Sequence, residues 1–224
     1  MNYPILVLGA SDELIIPDFE CKEVFTCNSS AIKGKIYKNK FNRCIHTNVT
    51  PAKAFYKIEE IRNSVLESSP ENLISRIGNI DYRRYDQLAN ANYQEFSRKE
   101  QINFQKKFLK KKLFVYFAEL QYKKDILKKI FHLKDCMTWR GFLGCSTGLF
   151  AVILALEKNP NSNIILSGIE FKGGNYFQGD RKMTEGRAFV DIFFLKHLKE
   201  IYKERIFTLN RKTANRVNIK YFKQ

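Results

Sequence analysis

The feature that most constrains this chain is a pattern repeated three times in its first forty-eight residues: a short apolar run that ends in small polar side chains. Pro4-Ile-Leu-Val-Leu-Gly-Ala-Ser11, Glu23-Val-Phe-Thr-Cys-Asn28 and Arg43-Cys-Ile-His-Thr-Asn48 all have this form. Runs with no polar alternation belong to strands covered on both faces, which is the situation in a parallel sheet. A parallel sheet needs crossover helices, so an α/β architecture is expected. Each strand end delivers a polar group, Gly9 to Ser11, Asn28 and Asn48, and in open parallel sheets ligands bind beyond the carboxyl ends of the strands. Three polar exits therefore predict one shared crevice.

The last third returns to alternating helix and strand. Ser146-Thr147-Gly148 precedes the apolar segment Leu149 to Lys158, a hydroxyl cap in front of a buried helix. Asn159 to Asn163 is a turn, and Ile164 to Phe171 reads as a buried strand. The stretch from about 172 to 185 is glycine-rich and aperiodic, a loop of lid length. Asp191 to Tyr202 carries a helical stripe, and Arg205 to Leu209 reads as a final strand. Between these two ends, Ala52 to Leu133 reads mostly as helices, a helical insertion in an otherwise Rossmann-like pattern, and the whole of 1–224 is expected to form one domain.

Charge bears on partners. The 224 residues carry 39 Lys and Arg against 23 Asp and Glu, a formal charge of +16. Between Arg98 and Lys134 there are twelve basic residues and three acids, set between apolar positions at helical spacing. Such faces suit an anionic membrane surface, so peripheral association with one is expected. The longest apolar run, Leu149 to Leu156, is eight residues, against roughly 20 for a spanning helix. Nothing at Met1 to Ser11 resembles a secretory leader, so the cytoplasm is the expected compartment. The five cysteines include no Cys-x-x-Cys pair, which argues against a disulfide framework and a structural zinc site.

Candidate chemistry collects at two places. The turn Gly9-Ala-Ser-Asp12 suits a phosphate or carboxylate, although no Gly-x-Gly-x-x-Gly or Walker lysine is present. The unit from Gly144-Cys-Ser-Thr-Gly through the helix to Ser167-Gly-Ile-Glu-Phe171 is more specific, with Ser146, Thr147 and Gly148 at a helix start over an anion. Arg140, just ahead of it, is an arginine able to hold an anionic substrate.

At this unit the chain resembles the sialyltransferases. Cys145-Ser-Thr-Gly148 matches the small sialylmotif of the animal enzymes, Pro-Ser-Ser/Thr-Gly, in all but its proline. Bacterial members begin with an apolar strand and a glycine turn, carry an asparagine after each of the next two strands, and continue into Ser-Gly-Ile-Asp-Phe and a lid bearing tyrosine. This chain shows Leu8-Gly9, Cys27-Asn28, Thr47-Asn48, Ser167-Gly-Ile-Glu-Phe171 and Tyr176 in that order. The resemblance spans roughly the first fifty and the last eighty residues and implies a single Rossmann-like domain with a mostly parallel sheet, of the GT-A-variant sialyltransferase type. It implies a metal-independent, cofactor-free, inverting glycosyltransferase. The donor would be a CMP-activated acidic sugar, sialic acid or another nonulosonate, and the acceptor an oligosaccharide or glycolipid hydroxyl of lipopolysaccharide, capsule or a related cell-surface glycan.

Carried over by position, Asn28 and Asn48 would contact the nucleotide, and Gly168, Glu170 and Phe171 would line its cytidine side. Ser146 and Thr147 would lie near phosphate and carboxylate, and the Tyr176 hydroxyl would stabilise the departing phosphate, as a hydrogen bond on a leaving oxygen does. Three positions depart from the pattern. Ala10 replaces the asparagine of the first turn, Lys172 replaces the first lid tyrosine and brings a point charge instead, and no histidine lies between Lys172 and Lys196, where the bacterial base falls. Glu185 or Asp191 is then the candidate base, given a raised carboxylate pKa. Two other readings remain open at this stage: a basic nucleic-acid-binding protein with a structural core, and a nucleotide-binding relative without transfer. No stacked-aromatic nucleic-acid motif is present, so no nucleic-acid partner is expected.

Overall fold

The computed structural model describes residues 3–108, 145–171 and 185–223, and the side chains of 185–189 and 203 are outside that description. The described strands form one parallel sheet of eight, ordered β5-β4-β3-β2-β1-β6-β7-β8. They are β1 (Ile5–Leu8), β2 (Glu23–Cys27), β3 (Ile45–Pro51), β4 (Asn72–Arg76), β5 (Asn92–Phe96), β6 (Ile164–Ser167), β7 (Ile206–Thr208) and β8 (Lys220–Tyr221). Seven α-helices are described: α1 (Ala31–Lys40), α2 (Ala52–Lys57), α3 (Glu59–Ser68), α4 (Arg98–Lys106), α5 (Thr147–Lys158), α6 (Glu185–Tyr202) and α7 (Arg211–Val217). This is the α/β, Rossmann-like sheet that the apolar runs predict.

Residues of β1 alternate between the two faces of the sheet. Ile5 and Val7 join a core with α5 and α6, while Leu6 and Leu8 join a second core with Tyr37 of α1. Both faces are therefore covered, which explains why the strand needs four apolar residues in a row. Helix α5 is buried all round: Leu149 to Leu156 are all 2% exposed or less. A helix with no polar face has to lie inside the molecule, and each fully buried Leu, Ile or Phe contributes roughly 1.5–3 kcal/mol.

The chain starts in the middle of the sheet, builds outward through β5, then crosses β1 to β6 and builds the other way. The reversal falls between β1 and β6, and their ends are level, Leu8 opposite Ser167. Such a switch point leaves a crevice at the carboxyl ends of the strands.

The middle of the chain differs from its sequence reading. Two strands, β4 and β5, lie within the stretch read as helices, and a break at Ile58 separates α2 from α3. Strand β3 continues to Pro51, three residues past Asn48. The basic region around 98–134 is described only to Phe108, and the loop from 172 to 184 lies outside the described residues. No helix among the described residues is long and apolar enough to cross a membrane.

Candidate active site

At the strand exits lies a cavity of about 360 Å³, within the range of roughly 300–1,000 Å³ typical of small-molecule sites. Five strands contribute to it. Gly9 and Ala10 follow β1, Cys27 and Asn28 close β2, Pro51 ends β3, Arg76 ends β4, and Gly168 to Glu170 follow β6, with Cys145 to Gly148 entering from the start of α5.

The β1 and β6 exits are laced together by backbone. Gly9 N–H donates to Ser167 O at 2.7 Å and Ser11 N–H to Gly168 O at 3.1 Å. A Cβ at Gly9 would meet Gly168 O at 1.9 Å, so no other residue fits there without moving the strands. Gly168 itself has φ +65°, a left-handed conformation. Asn28 also sits at positive φ, +54°, which asparagine tolerates better than most residues. The Thr50 hydroxyl donates to its Oδ1 at 3.4 Å.

The loop entering α5 is held from three sides. Cys145 N–H donates to Gln105 Oε1 at 3.0 Å, Cys145 O accepts from Arg76 Nη2 at 3.1 Å, and Ser146 N–H donates to Asp191 Oδ1 at 2.8 Å. The Ser146 hydroxyl accepts from Leu149 N–H at 3.2 Å, as the hydroxyl-cap reading requires. That bond uses one lone pair of the hydroxyl and caps the helix, and Ser146, Thr147 and Gly148 together bring the positive end of the helix dipole to the cavity wall. Burial pushes the Cys27 thiol up to about 12, so this cysteine of the lining is neutral and not a nucleophile.

Of the residues singled out in the sequence, Gly9, Asn28, Ser146, Thr147, Gly148, Gly168 and Glu170 line the cavity. Other predicted residues stand elsewhere. Asn48 lies within β3, fully buried, and its Nδ2 donates to Thr26 Oγ1 at 2.9 Å and to Asn28 O at 3.4 Å, so it braces Asn28 from beneath. Phe171 is 2% exposed in the main core instead of lining a base pocket, because its side chain finds apolar partners there. Ser11 is buried, its hydroxyl donating to Glu170 Oε1 at 2.6 Å; it fixes the acid rather than facing a ligand. Asp191 is fully buried and bonded to the Ser146 N–H, a brace for the loop and not a base open to an acceptor. Glu185 is the first residue of α6. Lys172 and Tyr176, like Arg140, lie outside the described residues.

Sequence reasoning missed the contribution of α2 and of the β4 exit: Lys53 and, above all, Arg76 and Ile77. The signal was present in Asn72-Leu-Ile-Ser-Arg-Ile-Gly78, a fourth short run ending in glycine, hidden by the helical periodicity around it. Among the described residues no group of three His, Cys, Asp or Glu is placed to hold a metal ion.

Sheet and cavity together define a Rossmann-like α/β protein with a ligand-sized hollow at the strand exits. No family model matches the chain, and no curated protein sequence matches it. Among solved structures it is similar to the apo form of an alpha-2,3-sialyltransferase from Campylobacter jejuni, with a TM-score of 0.50 and 20% sequence identity over 97% of this chain and 80% of that one. The likeness is one of fold.

Proposed function

We propose that this protein is a glycosyltransferase that takes a sialic acid or related nonulosonate from a CMP-activated donor and passes it, with inversion and without a metal, to a hydroxyl of an oligosaccharide or glycolipid. The observation that carries this reading is the convergence of Gly9, Asn28, Thr147, Gly168 and Glu170 on one cavity at the switch point of a parallel sheet. The fold it shares with a sialyltransferase supports the same reading.

On this reading the acceptor oxygen attacks the anomeric carbon from the face opposite the nucleotide, and the bond from that carbon to the CMP phosphate breaks. Negative charge grows on the departing phosphate. Positive dipole at the start of α5 and the Tyr176 hydroxyl stabilise that charge, and the acceptor proton passes to a carboxylate. With Asp191 committed to Ser146, Glu185 is the carboxylate assigned that work. The basic face beyond Arg98 would keep the enzyme at an anionic membrane, the inner face of the cytoplasmic membrane being the site of action.

The test is ligand-dependent melting. CMP is expected to raise the melting temperature more than AMP, GMP or UMP, and Asn28→Ala to remove that preference. An equal response to all four nucleotides would sink the proposal. A second reading, a nucleotide-binding protein without transfer, is favoured by the absence of histidine from Lys172 to Lys196. CMP release from CMP-sialic acid, lost in Tyr176→Phe, decides for the enzyme; CMP binding without release decides for the alternative.

A further inference from the structure

Five strand exits stand side by side along the cavity, in the order β4, β3, β2, β1, β6. At about 4.8 Å per strand the row is roughly 19 Å long, enough for a ligand of two joined parts. The start of α5 stands over its β2 to β6 portion: a Cβ at Gly148 would lie 3.7 Å from Cys27 Sγ at the end of β2 and 3.7 Å from Ile169 Cγ1 after β6. A phosphate at that helix start therefore divides the ligand, one part running toward β6 and the other toward β4.

The two ends differ in charge. At the β6 end stands Glu170, whose Oε1 accepts from the Ser11 hydroxyl. At the β4 end stand Arg76 and Lys53. Arg76 is buried, and its guanidinium is engaged inside the wall, by Gln101 Oε1 and Cys145 O among others. Lys53 is exposed at the first turn of α2, and among the described residues no ion pair or hydrogen bond engages its ammonium group. Beside it is Ile77. The turn after β4 packs on the start of α2, where a Cβ at Gly78 would lie 3.3 Å from the Ala52 Cβ, so Ile77 and Lys53 border the same end of the hollow. Ile77 is held at φ +56° with 46% of its surface exposed. A β-branched residue rarely adopts that backbone, and burial does not offset it here. A ligand lying on Ile77 would supply the cover that the fold does not.

We propose that the β4 end of the cavity is the sugar subsite: Lys53 pairs with the carboxylate of the donor's acidic sugar, and Ile77 packs against the apolar face of its ring. The phosphate then lies at the start of α5 and the base toward β6. The assignment rests on the cavity being the donor site. Charge decides the direction, because a carboxylate is repelled beside Glu170 and attracted beside Lys53. Lysine supplies a point charge on a flexible stem, so it selects an acidic sugar over a neutral one without fixing the ring's orientation, which falls to Ile77. The resemblance assigns phosphate and carboxylate together to Ser146 and Thr147; here they are divided between α5 and α2.

Titration calorimetry without acceptor, using CMP, CMP-sialate and the neutral carboxamide of CMP-sialate, tests it. The unmodified protein should bind CMP-sialate at least tenfold more tightly than the carboxamide. In Lys53→Gln that preference should vanish while CMP affinity stays within twofold, and Lys53→Arg should keep it. Ile77→Asn should leave CMP affinity unchanged and lose at least threefold for both sugar-bearing ligands. Both side chains are exposed, so these replacements leave the core intact. A Lys53→Gln protein that still prefers the carboxylate overturns the role of Lys53. Equal losses for CMP and CMP-sialate in that variant would put Lys53 on the phosphate and overturn it as well. Unchanged affinities in Ile77→Asn overturn the role of Ile77. If the unmodified protein binds CMP but does not distinguish carboxylate from carboxamide, the sugar subsite is wrong and the donor site stands. Failure of the unmodified protein to bind CMP overturns the donor-site reading itself, and the assignment falls with it.

Discussion

At the scale of single residues the cavity depends on places where little freedom is left. Gly9 packs against the Gly168 carbonyl with no room for a methyl group, so Gly9→Ala has to separate the β1 and β6 exits. Overpacking of this kind costs about 1–3 kcal/mol, and for a chain of this size that is a fall of roughly 2–12 °C in melting temperature. Calorimetry of the variant checks it, and a melting temperature within a degree of the unmodified protein contradicts the packing argument. Asp191 offers a sharper separation of roles. Its Oδ1 accepts from Ser146 N–H, an acceptor that asparagine retains and alanine does not. Asp191→Asn should therefore keep CMP binding and any turnover within a few-fold. Asp191→Ala, which leaves the part-buried Ser146 N–H without this partner, should lose about 1 kcal/mol of stability. A thousandfold loss of turnover in Asp191→Asn at unchanged stability would restore it as the base. The bracing role of Asp191 does not show in the sequence, because it depends on α6 docking over the loop at Ser146, a contact forty-five residues apart.

At the scale of elements, the turn after β4 combines features that folding alone does not reward. Ile77 has φ +56° and is 46% exposed, and Gly78 follows at φ +123°. A β-branched residue in left-handed backbone costs about 1–2 kcal/mol and here recovers little by burial. The turn is held open by Ile77 N–H donating to Phe96 O at 2.8 Å and the Ser75 hydroxyl donating to Gly78 O at 2.5 Å. Ile77→Asn, with a residue suited to that backbone, is expected to raise stability by about 1 kcal/mol, or roughly 2–4 °C. A urea titration reads this directly, and a lower midpoint would show that Ile77 is not strained. The same region shows where the sequence was legible and where it was not. Strands β1, β2 and β6 are buried along their whole length; β1 and Ile164 to Leu166 of β6 are visible as apolar runs, and β2 as an apolar stretch that carries Glu23 and Thr26. Strand β5, Asn-Tyr-Gln-Glu-Phe, is an edge with only Phe96 buried, so no run or alternation marks it. Asn48 was misplaced by three residues because β3 keeps burying polar side chains, Thr47, Asn48 and Thr50, that sequence patterning reads as a strand end.

At the scale of the whole molecule, those buried polar groups make the sheet itself responsive to acid. His46 on β3 is 1% exposed, and its Nε2 is 2.9 Å from the Thr26 hydroxyl, which also accepts from Asn48 beneath the cavity. Helix α1 passes so close that a Cβ at Gly34 would come within 2.4 Å of His46 Nε2, leaving no space for water to solvate a charged ring. Burial, with a smaller contribution from the positive charge of Lys38, holds the His46 pKa down to about 3 from its ordinary 6.5. The neutral ring is therefore the native form, and the unfolded chain binds a proton that the folded chain refuses. The sign follows: this contribution is fully present above about pH 6.5 and is lost as pH falls toward 3, at up to about 1.4 kcal/mol per pH unit, with no further loss from this residue below that. Carboxylates titrate over part of the same range, so the test is a difference. Denaturant midpoints of the unmodified protein and of His46→Gln, measured at pH 7, 6, 5 and 4, should converge as pH falls, because only the former has the histidine to protonate on unfolding. Since Asn48 Nδ2 donates both to that Thr26 hydroxyl and to Asn28 O, CMP binding should weaken in the unmodified protein over the acid limb of that range as the folded fraction falls. Parallel midpoints from pH 7 to 4 would mean that the His46 ring takes up its proton within the fold, and that the layer beneath the cavity admits water.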